Sequence, residues 1–256
     1  MKSYELTLSF ASALQLKGLI AHLDETIQDA ERQKHSYITF LNNLLGAEIE
    51  DRKQRKLKRN LTAAHFPVEK RIKDFDFGCV RGIGKSEVVN LMDYSWLDRN
   101  ENLLFFGPPG IGKTHLAIAL GFGALEKGYT VCFERITNLM KLLKVAQVQR
   151  VAEFRIRKIM KSQLLIIDEI GYTPIDRKEA NLFFNLVSEL YEKSSLIITS
   201  NKSFENWSEM LGDEVMTTAL LDRLLHHAKI YNLIGDSYRV KKIKNNKKGG
   251  KVANKN

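Results

Sequence analysis

The residues of this chain best equipped for chemistry are Gly107-Pro108-Pro109-Gly110-Ile111-Gly112-Lys113-Thr114, a glycine and four residues followed by Gly-Lys-Thr. Glycines let successive backbone N–H groups turn inward onto phosphate oxygens, and a helix that starts where the loop ends adds partial positive charge from its N-terminus. Lys113 is spaced to reach the β- and γ-phosphates of a nucleotide, and Thr114 to ligate magnesium.

A second group is Leu164-Leu165-Ile166-Ile167-Asp168-Glu169, an apolar run that ends in two carboxylates. Asp168 is expected to hold magnesium through water, and Glu169 to orient and polarise an attacking water. A third group ends the apolar run 196–199 with Ser200 and Asn201. A polar side chain there can touch the γ-phosphate or the lytic water; a plain turn residue is the other reading of Asn201. Together the three groups predict attack of water on a γ-phosphate.

Two look-alikes are set aside. Gly82-Ile83-Gly84-Lys85-Ser86 is a partial copy of the loop, but the motif's first glycine would fall on Cys79 and no apolar strand leads into it. Ser86 reads instead as the N-cap of a helix over 87–97. Asp168 with Gly171, and Asn201-Lys202-Ser203, resemble guanine-nucleotide motifs, yet Phe204 stands where a guanine-reading carboxylate is needed. Adjacent Asp and Glu also suit an ATPase that carries its own base, so ATP is the expected nucleotide. His226 and His227 are neighbours. On a helix they would diverge by about 100°, which argues against a shared metal.

The elements that must position these groups follow from the alternation of short apolar runs with helical stretches between Phe75 and Arg239. Runs at 103–106, 130–133, 164–167 and 196–199 have strand length; stretches at 114–127, 138–147 and 178–191 have helical periodicity. That pattern predicts an α/β domain over 73–239, a parallel sheet with helices on both faces. Before it, residues 1–72 read as a small all-α domain. Leu6, Phe10, Ala13, Leu14, Leu19, Ile20 and Leu23 keep the spacing of one helix face, Tyr37, Phe40, Leu41, Leu44 and Leu45 repeat it, and Pro67 marks the exit.

The chain of 256 residues has 40 Lys and Arg against 30 Asp and Glu, unevenly distributed. Residues 239–256 hold one Arg, seven Lys and no acid, with almost nothing to bury, and 240–256 read as a disordered tail. Arg52, Lys53, Arg55, Lys56, Lys58 and Arg59 put six basic residues into eight positions. The run is either a solvated helix surface or a set of contacts to nucleic-acid phosphates, which gain from counterion release. Two cysteines, Cys79 and Cys132, exclude a disulfide framework and read as small buried hydrophobes. No apolar stretch of about 18 residues and no leader pattern is present, so the chain is expected to be cytoplasmic, with no membrane partner.

Over nearly its whole length the chain resembles the IstB-type AAA+ ATPases, helpers of insertion-sequence transposases and close to the DnaC helicase loader. The resemblance rests on residues 102–116 (NLLFFGPPGIGKTHL), 164–171 (LLIIDEIG), 196–201 (LIITSN) and 218–228 (TALLDRLLHHA), and on Phe75-Asp76-Phe77. It implies a P-loop AAA+ domain that oligomerises on duplex DNA without sequence preference, with ATP at the boundary between copies and a transposase of the same element as partner. A helicase loader is the alternative. It also implies Arg223 as an arginine finger reaching a neighbour's γ-phosphate, although Asp222 beside it allows an internal ion pair. Arg239 is a weaker candidate for a second phosphate sensor.

Overall fold

A computed structural model describes residues 2–171, 175–235, 237 and 238. They form two compact units, Met1–Asn60 and Leu61–Asn256.

The first unit is helical: α1 (Lys2–Ala13), α2 (Lys17–Gln33) and α3 (Tyr37–Ala64), the last running on into the second unit. The single helix face expected from Leu6 to Leu23 is broken, because Gln15 adopts φ +56°. The break lets both halves contribute to one small core, Ala11 from α1 with Leu19 and Leu23 from α2 and Leu44 from α3. Glu48 secures the restart. Its buried Oε2 accepts the N–H groups of Gly18 (2.7 Å) and Leu19 (3.1 Å), supplying the cap that Leu16, the residue before α2, does not.

The second unit contains β1 (Val80–Arg81), α4 (Lys85–Leu91), α5 (Ser95–Asp98), β2 (Asn102–Phe106), α6 (Lys113–Glu126), β3 (Val131–Arg135), α7 (Ile136–Val145), α8 (Arg150–Met160) and β4 (Leu164–Ile170). There follow α9 (Arg177–Leu190), β5 (Ser195–Ser200), α10 (Trp207–Leu211), α11 (Glu214–Leu225), β6 (Ala228–Asn232) and β7 (Ile234–Gly235). Five strands make a sheet in the order β3-β4-β5-β2-β6, all neighbours parallel. The central strands β2 and β5 are buried at every position, as strands covered on both faces must be. Helix α6, apolar around most of its circumference, is buried with them.

Four expectations change. Helix α4 starts at Lys85, and Gly84 is its cap: the Gly84 N–H donates to Glu87 Oε2 at 2.7 Å. It stops at Leu91, and Tyr94 (φ +63°) separates it from α5. Helix α8 and strand β6 were not foreseen. The first is amphipathic but strongly charged, anchored by Arg155; the second, Ala-Lys-Ile-Tyr-Asn, is a sheet edge and carries too few apolar residues to stand out.

In a parallel sheet the carboxyl ends of all strands share one edge. Here that edge gathers Arg135 from β3, Asp168 and Glu169 from β4, Ser200 from the end of β5 with Asn201 just after it, and the glycine-rich loop after β2.

Candidate active site

The loop 107–112 joins β2 to α6, and two of its glycines are required by close approach. Gly107 has φ +142° and a Cβ there would meet the Leu233 carbonyl oxygen at 2.2 Å; Gly112 has φ +107° and a Cβ would meet the Phe75 ring at 2.7 Å. Phe75 in turn packs edge-on against Phe77 and His115, and His115 Nε2 lies 3.0 Å from the Arg71 carbonyl. The segment holding Phe75-Asp76-Phe77 is thereby fastened to the start of α6.

Lys113 is buried, and its Nζ donates to the carbonyls of Gly107 (2.6 Å) and Pro108 (2.9 Å). The ammonium sits among the loop's own neutral acceptors. Phosphate oxygens, being charged, are the stronger acceptors for the same donor.

The two acids occupy a β-bulge. Ile167 pairs with Ile198 and Ile170 with Ser200, so Asp168 and Glu169 share a single opposite residue, Thr199. Glu169 takes φ +66°, an uncommon conformation for a side chain of its size. Thr199 serves both acids: its hydroxyl donates to Asp168 Oδ1 at 2.6 Å and accepts the Glu169 N–H at 3.0 Å. Thr114 Oγ1 donates to the same Asp168 oxygen at 2.8 Å. Asp168 is 1% exposed, and its Oδ2 has no hydrogen-bond partner among the described residues. A buried carboxylate oxygen without a donor is costly unless a cation faces it. Thr114 and Asp168 together offer the hard oxygen ligands that Mg2+ selects.

The Glu169 side chain, on the bulge, is partly exposed, its Oε2 3.6 Å from Arg135 Nε. Asn201 Oδ1 is buried and has no hydrogen-bond partner among the described residues. Lys113, Thr114, Asp168, Glu169 and Asn201 all line one cleft of about 670 Å³, which extends past the glycine loop to Val68, Phe75 and Asp76. Pro109, Gly110, Ile111 and Gly112 form its wall. The cleft also reaches Cys79, which is half-buried rather than fully buried, its Sγ 2.9 Å from Asp76 Oδ2; Cys132 is buried as expected.

The sequence profile of the family of IstB-like ATP binding proteins matches residues 9–246. The chain belongs to this family. It is 41% identical over 230 residues to the insertion sequence IS21 ATP-binding protein of Pseudomonas aeruginosa, covering 90% of this chain and 87% of that one. With the IS5376 ATP-binding protein of Geobacillus stearothermophilus it shares 42% over 206 residues, 80% and 82% of the two chains. Among solved structures, DnaI superposes with a TM-score of 0.56 over 65% of this chain and 92% of its own, at 16% identity. DnaA from Aquifex aeolicus superposes with 0.50 over 70% and 55%, at 20%. The fold is that of an AAA+ P-loop protein, and ATP is the ligand of this IstB-like chain.

Arg223 lies outside the cleft of this copy. Its Nη1 donates to the Ala219 carbonyl at 2.8 Å, and its guanidinium stacks 4.7 Å above the Phe184 ring, so its packing is with α9 and its own helix. Among the basic residues on α3, Arg52 Nε donates to Glu48 Oε1 (2.5 Å) and Arg55 Nε to Asp51 Oδ2 (2.6 Å), which ties both into the helical unit. Lys53, Lys56, Lys58 and Arg59 are exposed. Arg239 and residues 240–256 lie outside the described residues. Among the described residues no helix is long and apolar enough to cross a membrane.

Sequence reasoning missed Thr199 and Arg135. Thr199 had a signal, a hydroxyl in an otherwise apolar strand, but its partners are on another strand. Arg135 ends a strand whose neighbour is known only from the sheet order.

Proposed function

We propose that this IstB-like chain is an ATP-dependent, DNA-binding regulator of a transposase, which hydrolyses ATP to control its own assembly on DNA. The observation that carries the reading is the bulge at Asp168 and Glu169, set beside Thr114 and Lys113 in one cleft. The names of the relatives, ATP-binding proteins of insertion sequences, support transposition over helicase loading as the setting.

In this reading the backbone of residues 107–112 cradles the phosphates, and Lys113 exchanges its carbonyl partners for β- and γ-phosphate oxygens. Thr114 and Asp168 hold Mg2+, which when bound neutralises charge on the phosphates. Thr199 keeps Asp168 aimed, its hydroxyl donating to Oδ1 and leaving Oδ2 turned toward the cation. Glu169, on the bulge with its positive φ, accepts a proton from the attacking water, and Asn201 orients that water. Arg223 stabilises the charge developing on a neighbouring copy's γ-phosphate, which requires it to lie outside its own cleft. Lys53, Lys56, Lys58 and Arg59, with the Lys-rich tail, contact DNA phosphates irrespective of sequence.

The test is phosphate release by the purified full chain, with and without duplex DNA, for wild type and Glu169→Gln. The variant is expected to bind ATP and stay on DNA while turnover collapses. Wild-type turnover in Glu169→Gln removes the role given to the acid; absence of adenine-nucleotide binding with magnesium removes the whole reading.

A further inference from the structure

A second convergence of ligating side chains lies at the other edge of the sheet. Glu192 precedes β5, His227 precedes β6, and Asn100 precedes β2, so all three stand at strand beginnings, away from the edge where the nucleotide cleft opens. There His226 Nδ1 and His227 Nε2 each lie 3.9 Å from Glu192 Oε1. One ligand atom from each residue falls within 4.8 Å of the others.

The two histidines stand where the chain passes from the end of α11 into the sheet. His226 is the cap residue that ends α11, whereas the His227 carbonyl already accepts the Asn102 N–H, 2.7 Å, at the entry to the sheet. The chain leaves the helix after His226 and enters the sheet at His227, and the two side chains turn toward each other with ring centroids 4.0 Å apart. Glu192 is held in turn. It adopts φ +57°, and Asn100 Nδ2 donates to its carbonyl at 2.8 Å. Three backbone positions are thus fixed by the framework, and only side-chain rotations remain adjustable.

We infer that Glu192, His226 and His227 form a binding site for a divalent transition-metal cation of the zinc class. Two imidazoles and a carboxylate are the donor set that borderline cations prefer over Mg2+. Ligand atoms around a tetrahedral Zn2+ are about 3.4 Å apart, so the observed spacings have to shorten by about 0.5 Å to about 1.4 Å, which rotations of exposed side chains can supply. The fourth position is open to water or to a donor from another molecule. The Tyr191 hydroxyl, 2.6 Å from His226 Nδ1, is the group the metal displaces. Occupation would clamp the end of α9 to the end of α11, the helix that carries Arg223.

Isothermal titration of Zn2+ into the tag-free full chain, stripped with chelator and kept in excess Mg2+, tests the site. One Zn2+ per chain is expected, with affinity reduced at least about tenfold in the His226→Ala/His227→Ala variant while ATP binding is unchanged. Tyr191→Phe, which removes the competing hydrogen bond, is expected to bind at least as tightly as wild type. Equal uptake by wild type and the double variant, no uptake by wild type, or weaker binding in Tyr191→Phe would each overturn the site as drawn.

Discussion

Arg135 and Glu169 face each other from adjacent strands, with Nε 3.6 Å from Oε2 and both side chains partly open to solvent. An ion pair in that setting contributes about 0–1 kcal/mol, weak enough to be exchanged for another partner. While it lasts, the guanidinium competes with water for the carboxylate proposed as the base. Arg135→Ala is therefore expected to raise ATP turnover without DNA by up to about fivefold, read by phosphate release; a loss of turnover would make Arg135 a helper of the reaction instead of a restraint.

Thr199 has no direct contact with the proposed reaction, yet it touches both acids. Thr199→Val keeps shape and removes the hydroxyl, leaving Asp168 Oδ1 with Thr114 alone and the Glu169 N–H without its acceptor. The expected result is a fall in turnover, in Mg2+ affinity, or in both, of about 10–100-fold, while folding is retained. Thr199→Ser should restore most of the activity, since the hydroxyl returns.

Arg155 joins α8 to the sheet through a buried ion pair with Glu134, 2.6 Å, and through the Phe133 carbonyl at 3.1 Å. Removing one partner of such a pair leaves the other charge buried and uncompensated. Arg155→Ala is expected to lower stability on the order of 3–5 kcal/mol, measured by chemical denaturation. Replacing both residues together with apolar ones should cost less than the single change.

Glu48 predicts a pH dependence confined to the helical unit. The Arg52 guanidinium, with help from the Leu19 and Gly18 N–H groups, holds its carboxyl below the usual glutamate range. A group whose folded pKa is depressed stabilises the fold above its unfolded pKa and loses that contribution as pH falls through the folded value. Wild type should exceed Glu48→Gln in stability near neutrality, and the gap should close below about pH 4. Helical circular dichroism during denaturation at several pH values checks this; a gap constant with pH would refute it.

Variants should separate DNA contact from structural support within the basic run on α3. Neutralising Lys53, Lys56, Lys58 and Arg59 to Gln should weaken DNA binding and reduce its salt slope by about one for each DNA phosphate that is no longer neutralised. Arg52→Gln should act chiefly on the stability of the helical unit, because that side chain is bonded to buried Glu48. Unchanged affinity across salt concentrations in the fourfold variant would leave the run as a solvated surface.

What sequence alone determined is what depends on neighbours in the chain. The phosphate loop is one stretch of backbone between a strand and a helix, so Gly107 to Thr114 carry the information for their own conformation, and the apolar runs of β2, β4 and β5 announce a buried parallel sheet by composition. The resemblance to the IstB-type family is carried by the same local motifs. Tertiary structure decided what depends on register and on where elements stop. That Thr199 stands opposite both Asp168 and Glu169 follows from a bulge that only strand pairing creates. Glu48 caps a helix thirty residues before it because a positive φ at Gln15 redirects the chain. His226 and His227 meet at Glu192 because α11 ends just before them and the chain turns into the sheet there. Residue spacing gives directions only while the backbone keeps one conformation; where it changes, the partner of a side chain is set by the packing of the whole domain.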